Sequence, residues 1–252
     1  MSSPPVTIAG NLARVRERIA AAALRVGRRP DEVTLVGVTK YATLDALRQL
    51  VAAGCCDLGE NRPQQLWERA ASLSADEGTR PDAANSAPPA AAAGVRWHLI
   101  GHLQRNKVRR TLPCVHLLHS ADSLRLLEAC GAEAVERERP LQVLLEVNIS
   151  GDAAKHGFQA RELPSLLESL GAIRGVAIRG LMAMSGLESD ASQTRREFAA
   201  VRELRDRLQP ACPPQVQLRE LSLGMSDDFE IAVEEGATLV RVGSALLEGV
   251  PL

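Results

Sequence analysis

The sequence predicts an α/β fold in which parallel strands alternate with helices and close into a single (β/α)8 barrel. Eight short runs rich in Val, Leu, Ile and Ala, typical of buried strands, recur along the 252 residues. Segments with apolar residues at helical spacing separate nearly all of these runs. Eight such repeats in a chain of this length suit a closed barrel, and an open doubly wound sheet is the alternative.

The predicted strands are short apolar runs that finish near a polar residue or a glycine. They cover residues 33–40, 56–62, 95–101, 114–120, 143–150, 178–186, 218–224 and 237–243. Because each parallel strand needs a crossover before the next, all eight should end at one rim, where barrels of this kind carry their functional groups.

The predicted helices follow the strands, with one additional helix at the N-terminus over residues 8–26. The others cover residues 44–53, 63–73, 104–111, 124–138, 160–170, 192–208 and 227–235. The sequence stops soon after the eighth strand, so we expect the N-terminal helix to fill the place of an incomplete eighth helix.

Residues 74–94 differ from the rest of the chain. Their sequence, SADEGTRPDAANSAPPAAAAG, is of low complexity and lacks the large apolar side chains that a core needs. We therefore expect a flexible, exposed insertion within a single domain that spans residues 1–252.

The composition limits the class of protein. A net charge of −1 argues against a general nucleic-acid or membrane-surface binder. The five cysteines lack CxxC spacing, and their odd number argues against a secreted disulfide framework. The N-terminal segment lacks the apolar core of a signal peptide, and no run reaches the length of a membrane span. The sequence thus predicts a cytoplasmic globular protein.

The expected rim carries a specific set of side chains. They are Lys40, Asn61, His98, Asn148, Met184, Ser222 and Arg241. Lys40 ends the run VTLVGVTK, and a lysine held by a rigid strand end suits Schiff-base chemistry, although a solvated charge is the alternative. Asn61 follows Gly59, so its amide could face the rim or simply cap the turn.

The last strand leads into RVGSALLEG, which has the features of a phosphate site. Gly243 and Ser244 open a short helix, where free N–H groups and a hydroxyl can bind an anion, although a simple helix cap is the alternative. Arg241 could point into the barrel mouth.

The segment after the seventh strand, LSLGMSDDF, carries more polar groups. Here Ser226 is expected to cap a helix whose first turn holds Asp227 and Asp228. That interpretation leaves Ser222 and Gly224 at the strand end unexplained.

No metal site is expected. His98 and His102 have the i, i+4 spacing of a zinc pair, but they lie on either side of a predicted strand end and lack further ligands. The basic residues between positions 105 and 110 are interpreted as a solvated helix face. One residue of the pair Cys55 and Cys56 is expected to be buried.

Several stretches together resemble the pyridoxal phosphate homeostasis proteins, the YggS/PROSC family. In order, they are LVGVTK, DLGENRPQ, WHLIGHLQRNK, LLEVNIS, KHGF, RGLMAMSG and LSLGMSDDFEIAVEEGATLVRVGSALLEG. They span nearly the whole chain outside residues 74–94. The resemblance implies a barrel of the alanine-racemase N-terminal domain type, which is fold type III among pyridoxal 5′-phosphate (PLP) proteins.

The resemblance also implies PLP as cofactor and a role for each site residue. Lys40 would attach PLP through a Schiff base, and Arg241 would face its pyridine nitrogen. The remaining cofactor-binding residues would be Asn61 beside the ring, Ser222, Gly243 and Ser244 at the phosphate, and Met225 and Ser226 as further wall contacts.

The implied function is PLP homeostasis by carrying, buffering or delivering PLP to PLP-dependent apoenzymes, as a monomer or weak homodimer. A cationic arginine opposite the ring nitrogen disfavours strong catalysis. An alanine-racemase-type enzyme is the alternative, but we expect no further domain after Val250, and the only tyrosine, Tyr41, is expected to point away from Lys40. A lysine-dependent aldolase without PLP is a second alternative. Some relatives carry a second lysine where this chain has Ala42, and Lys155 is an accessory lysine or a surface charge.

Overall fold

The strands form a parallel barrel. The computed structural model describes residues 6–76, 94–135, 137, 139–149, 156–186 and 188–250. Its strands are β1 (Thr34–Val38), β2 (Asp57–Glu60), β3 (Arg96–Leu99), β4 (Leu117–Ala121), β5 (Leu141–Asn148), β6 (Phe158–Gln159), β7 (Val176–Met182), β8 (Val216–Ser222) and β9 (Leu239–Val242).

Closure of the sheet follows from its strand order. The pairing runs β4-β3-β2-β1-β9-β8-β7-β5, and a further pairing of β4 with β5 joins the two ends. Every pairing is parallel, as in the match of Val36 with Arg241 between β1 and β9. The two-residue strand β6, which the sequence did not predict, pairs only with β5 within the described residues. The predicted (β/α)8 barrel is confirmed, and the open doubly wound sheet is wrong.

Helices cover the outside of the barrel. They are α1 (Ile8–Arg25), α2 (Leu44–Ala52), α3 (Pro63–Asp76), α4 (Val108–Thr111), α5 (Leu124–Ala134), α6 (Leu163–Ala172), α7 (Ala191–Leu208), α8 (Phe229–Glu234) and α9 (Ser244–Leu247). Short 3-10 turns lie at Pro30–Glu32, Arg105–Lys107, Leu112–Cys114 and Gln209–Ala211. In the described chain no helix is both long and apolar enough to cross a membrane.

The N-terminal helix completes the outer layer, as the sequence predicted. The apolar face of α1 is buried and packs against α8 and α9. The side-chain amide of Asn11 donates hydrogen bonds to the backbone oxygens of Leu246 (3.1 Å) and Glu248 (2.9 Å). Because α9 is a single turn, α1 covers the space that a longer eighth helix would occupy.

The core has two parts. A large apolar cluster lies between the strands and the helices. A second cluster takes one side chain from each of five strands and fills part of the barrel interior: Val36, Leu117, Leu144, Met182 and Leu239. The rest of the interior is polar, and it leads to the functional rim.

Several predicted boundaries differ from those of the structure. Helix α3 extends to Asp76, so Ser74 is helical and its hydroxyl bonds to the oxygen of Ala70. Most of the predicted insertion, residues 77–93, lies outside the described residues, as does Lys155. Helix α8 begins at Phe229, two residues later than predicted.

Candidate functional site

A cavity of about 400 Å3 opens at the carboxyl ends of the strands. Loops after β1, β2, β3, β7, β8 and β9 form its wall. The predicted site residues that line it are Lys40, Asn61, Met225, Ser226, Arg241, Gly243 and Ser244. Met184 and Met225, which are 43% and 40% exposed, add apolar surface to the wall. Four of the side chains expected at the strand ends, Lys40, Asn61, Met184 and Arg241, therefore lie at this cavity.

Ser222 departs from the expected arrangement. Its side chain is fully buried inside the barrel, where its hydroxyl lies 2.5 Å from the Arg241 guanidinium and 2.8 Å from His119 Nδ1. The last residue of β8 points into the barrel rather than toward the loop above it. Ser222 thus lies behind Arg241, and its hydroxyl is engaged away from the cavity where a phosphate was expected.

Arg241 forms the inner wall of the cavity and is only 4% exposed. Its guanidinium donates hydrogen bonds to the backbone oxygens of Ser222 (2.7 Å) and Ala183 (3.1 Å). Burial lowers the pKa of Arg241 to about 10, and the carboxylates of Asp228 and Glu146 oppose that effect. The side chain remains cationic at neutral pH, held in one orientation by three oxygen acceptors.

The loop that carries Lys40 is held by a clamp of three side chains, in which Thr39 and Arg69 both bind the buried carboxylate of Glu60. The Thr39 hydroxyl donates to Glu60 Oε1 (2.5 Å), and the Arg69 guanidinium lies 2.9 Å from the same oxygen. Arg69 also donates to the backbone oxygens of Thr39 and Ala42. Burial raises the pKa of Glu60, while Thr39 and Arg69 oppose that rise. This clamp holds the residues on both sides of the half-buried Lys40.

Tyr41 lies on the same side as Lys40, contrary to expectation. The Lys40 amine is 4.6 Å from the centre of the Tyr41 ring, and both residues line the cavity. The two residues follow the end of β1 in a turn, where the alternation of a strand no longer applies. The phenol is therefore at the cavity and 71% exposed.

The opposite side of the cavity offers hydroxyl and backbone donors. Ser226 does not cap α8; its hydroxyl accepts a hydrogen bond from the Gly243 N–H at 3.1 Å. Asp228 precedes α8, and its carboxylate accepts from the Met225 N–H (2.6 Å) and the Ser185 hydroxyl (2.8 Å). The predicted capping role of Ser226, with Asp227 and Asp228 in the first turn, is wrong because the loop is longer.

Gly243 lets two strands approach closely at this point. A Cβ atom there would lie 3.2 Å from both the Cβ and the oxygen of Val38. Ser244 follows as the first residue of α9, and the first N–H groups of a helix have no acceptor within it. The result is a small cradle of donors beside the cationic Arg241.

His98 is buried in the barrel interior, and its expected place at the rim is wrong. Its Nε2 atom lies 3.0 Å from Asp57 Oδ1, and its Nδ1 atom lies 2.8 Å from His119 Nε2. Asp57 is the first residue of β2, at the amino end of the barrel. Asp57 and His119 were not predicted as interior residues, although a charged or imidazole side chain within a buried apolar strand was the available signal.

His102 belongs to a different group of side chains, so the spacing of His98 and His102 does not form a metal pair. His102 Nδ1 lies 2.9 Å from Asp122 Oδ2, and the His156 ring stacks on His102 at 4.9 Å. Ligand atoms of these three residues lie within 4.8 Å of one another at the surface.

The chain matches the family model of the alanine racemase N-terminal domain over residues 11–251. It is 36% identical to the pyridoxal phosphate homeostasis protein of Pseudomonas aeruginosa, over 95% of this chain and 94% of that protein. It is 35% identical to the pyridoxal phosphate homeostasis protein of Escherichia coli, over 95% of both. The chain belongs to this family. The resemblance seen in the sequence motifs is thereby confirmed.

Solved structures agree with this assignment. PipY of Synechococcus elongatus, determined with PLP bound, is 34% identical, with a TM-score of 0.78 over 95% of this chain and 99% of PipY. An alanine racemase of Clostridium difficile is 14% identical, with a TM-score of 0.64 over 94% of this chain and 56% of the racemase. The racemase therefore shares the barrel fold with this chain, and PipY matches 95% of its length.

Proposed function

We propose that this protein binds PLP through a Schiff base to Lys40 and holds it for intracellular PLP homeostasis, as a carrier, buffer or donor. One observation carries the proposal: a single cavity brings together the Lys40 amine, the buried Arg241 cation and the donor cradle at Gly243 and Ser244. The family assignment and the PLP bound to PipY support the same cofactor.

The residues at the cavity match the functional groups of PLP. The neutral Lys40 amine would attack the aldehyde carbon of PLP, and a C=N bond would replace the C=O bond as the aldehyde oxygen and both amine protons leave as one water molecule. The hydroxyl of Ser244, the N–H groups of the first two residues of α9 and the Ser226 hydroxyl would bind the phosphate. Asn61 and the apolar wall at Met225 would flank the ring.

Arg241 favours storage of the cofactor over catalysis on it. PLP can supply an electron sink when its ring nitrogen is protonated. Arg241 stays cationic at neutral pH and is fixed by Ser222 and Ala183, so it disfavours a proton on a nitrogen that faces it. We therefore propose that the protein carries PLP without strong catalytic activity.

Binding and delivery can be tested with the purified protein. We expect PLP to give the visible absorbance band of a lysine Schiff base, and Lys40→Arg to abolish the band while Lys107→Arg keeps it. The loaded protein should then restore activity to a PLP-dependent apoenzyme. Absence of the band would favour the aldolase alternative, and a band without any transfer would restrict the function to storage.

Racemisation remains the second candidate because the Tyr41 phenol lies at the cavity beside Lys40. An enzyme of this type would interconvert D- and L-alanine at about 1 to 1000 turnovers per second. We expect no such turnover from the PLP-loaded protein. Turnover that Tyr41→Phe abolished would replace the carrier function with racemisation.

The proposal also covers the cellular compartment, the recipients of PLP and the oligomeric state. The odd number of cysteines fits a reducing compartment, which supports the cytoplasm. PLP-dependent apoenzymes are proposed as recipients, and a monomer or weak homodimer as the working state; sedimentation of the loaded protein tests the latter.

A further inference from the structure

A row of polar side chains crosses the barrel interior and ends at Arg241. It starts at Asp57, whose Oδ1 atom is 3.0 Å from His98 Nε2. His98 Nδ1 is 2.8 Å from His119 Nε2, and His119 Nδ1 is 2.8 Å from the Ser222 hydroxyl. That hydroxyl lies 2.5 Å from the guanidinium of Arg241. All five residues are 8% exposed or less, so the ring nitrogens of His98 and His119 and the Ser222 hydroxyl depend on their neighbours in the row for hydrogen bonds.

The direction of these hydrogen bonds follows from the two ends. Burial disfavours ionisation of Asp57, but hydrogen bonds from His98 and Arg96 outweigh it and lower the pKa of Asp57. Asp57 is therefore a carboxylate, which can only accept, and His98 must donate to it through Nε2. At the other end Arg241 can only donate, so Ser222 must accept from it.

The middle of the row has one consistent arrangement. Burial lowers the pKa of His119 well below its usual value, so this ring is neutral and carries a single N–H. With a neutral His98, His98 Nδ1 is an acceptor, and His119 donates to it through Nε2. His119 Nδ1 then accepts the proton of the Ser222 hydroxyl. Every hydrogen bond thus points from Arg241 toward Asp57.

The reverse arrangement leaves a proton without an acceptor. A cationic His98 would donate to His119 Nε2, and His119 would then donate from Nδ1 to Ser222. Within the described residues the Ser222 hydroxyl has two partners, Arg241 and His119. Both would be donors, and the buried proton of the hydroxyl would have no partner, which is costly.

We propose that His98 and His119 are positioning residues for Arg241. They fix the rotation of the Ser222 hydroxyl about its Cβ–Oγ bond, so that an oxygen lone pair, and not the hydroxyl proton, faces the guanidinium. The inference rests on the proposed function, since the orientation of Arg241 matters for PLP binding. Neither histidine lines the cavity at Lys40, so each acts on the cofactor through Ser222 and Arg241.

The tautomers of the two histidines test the direction of the hydrogen bonds along this row in the cofactor-free protein. Long-range 1H–15N spectra of histidine-labelled protein distinguish protonated from bare ring nitrogens. We expect both His98 and His119 to carry their proton on Nε2, with Nδ1 bare. A proton on His119 Nδ1 would overturn the proposal. This result does not depend on PLP, so it stands apart from any failure of the proposed function.

Paired substitutions test the effect on the cofactor. His119→Leu removes the acceptor for Ser222, whereas His119→Asn retains an amide oxygen near the position of Nδ1. We expect His119→Leu to raise the dissociation constant of PLP about 10-fold, the effect of one buried hydrogen bond, and to shift the visible band. His119→Asn should restore most of both properties.

His116 provides the matched control. Its ring lies edge-on to that of His98, with 5.8 Å between the ring centres, at the amino end of the barrel and outside the row of hydrogen bonds. His116→Leu should leave the PLP dissociation constant within about 2-fold and the band unchanged. A folded His119→Leu protein with an unchanged band and affinity would overturn the proposal. If that variant does not fold, the tautomers decide.

Discussion

The hydroxyl of Ser226 accepts a hydrogen bond from the backbone N–H of Gly243, at 3.1 Å. The contact joins the loop after β8 to the turn after β9, and these two segments provide the donors on one side of the cavity. A buried or half-buried N–H that loses its acceptor costs about 1–3 kcal/mol. The position of the proposed phosphate cradle therefore depends on a side chain from the neighbouring loop.

Ser226→Ala should weaken PLP binding because the cradle loses a hydroxyl and the turn at Gly243 loses the side chain that holds it in place. We expect the dissociation constant, measured by absorbance titration, to rise about 10-fold, which corresponds to about 1.4 kcal/mol. Ser72→Ala, on the outer face of α3, is the control and should have no effect. Equal affinities of the two variants would show that Ser226 does not contribute to the cradle.

The clamp under Lys40 should be sensitive to loss of its cation. Arg69→Met removes the cation beside the buried Glu60 carboxylate and leaves it the Thr39 hydroxyl and the Asn61 backbone N–H, a loss that costs about 3 kcal/mol. Urea denaturation should show this loss, and the double variant with Glu60→Gln should recover much of it.

Arg62→Met is the control for this clamp, because Arg62 is exposed just before α3. Its free energy of unfolding should change by less than about 0.5 kcal/mol. If Arg69→Met behaved like Arg62→Met, the clamp would not stabilise the Lys40 loop.

Gly224 should not tolerate a side chain. Its φ is +78°, and a Cβ atom would lie 2.5 Å from the Cβ of Ala232. Gly27 has a similar φ of +72°, but a Cβ atom there would have no neighbour within 4 Å. Gly27→Ala therefore measures the backbone strain alone, about 1 kcal/mol, and Gly224→Ala should cost about 1–3 kcal/mol more. Equal losses in urea denaturation would contradict the proposed close contact.

The buried histidine His119 should make the protein less stable in mild acid. Burial lowers its pKa in the folded protein, whereas the unfolded chain binds the proton near pH 6.5. Below that pH the unfolded state holds more protons, so stability falls as pH falls, by up to about 1.4 kcal/mol per pH unit. Burial likewise lowers the pKa of His116, which adds a loss of the same sign.

Urea denaturation at pH 7 and pH 5.5 measures this effect. The unmodified protein should lose stability between the two values, and His119→Asn should lose about 1 kcal/mol less because it has no imidazole to protonate. The same pH response in both proteins would mean that His119 does not stay neutral in the folded state.

The cysteines should react in the order of their burial. Burial raises the pKa of the Cys55 thiol to about 11 and that of Cys130 to about 12, and both side chains are buried. Thiolates are the reactive form, so labelling of these two in the native protein should be at least about 100-fold slower than in urea. Rapid native labelling of either thiol would contradict its burial. Cys56 is half-buried, so the expectation that one residue of the pair Cys55 and Cys56 is buried is confirmed.

The sequence located the parts of the site that depend on local pattern. Lys40, Gly243 and Ser244 follow apolar runs, and strand ends of a parallel barrel meet at one rim. The alternation of apolar runs and amphipathic segments was sufficient to predict the barrel, and the sequence motifs were sufficient to predict the family. The site cavity at the carboxyl ends follows from these two facts.

The row of polar side chains inside the barrel could not be predicted in the same way. His119 and Ser222 lie 103 residues apart and meet only because β4 and β8 face each other across the barrel. Glu60 and Arg69 meet for a related reason, since β2 and α3 fold back on each other after Asn61. The predicted orientation of Tyr41 and the predicted start of α8 were wrong. Strand alternation does not extend into the turn after β1, and the capping pattern of a helix does not give the length of the loop between β8 and α8.

The central claim is that Lys40 attaches PLP. The chain has three lysines, Lys40, Lys107 and Lys155, so borohydride reduction of the PLP-loaded protein followed by peptide mapping gives an unambiguous answer. We expect a stable PLP adduct on the peptide that contains Lys40 and none on the other two. An adduct on Lys107 or Lys155 alone, or no adduct at saturating PLP, would contradict the claim.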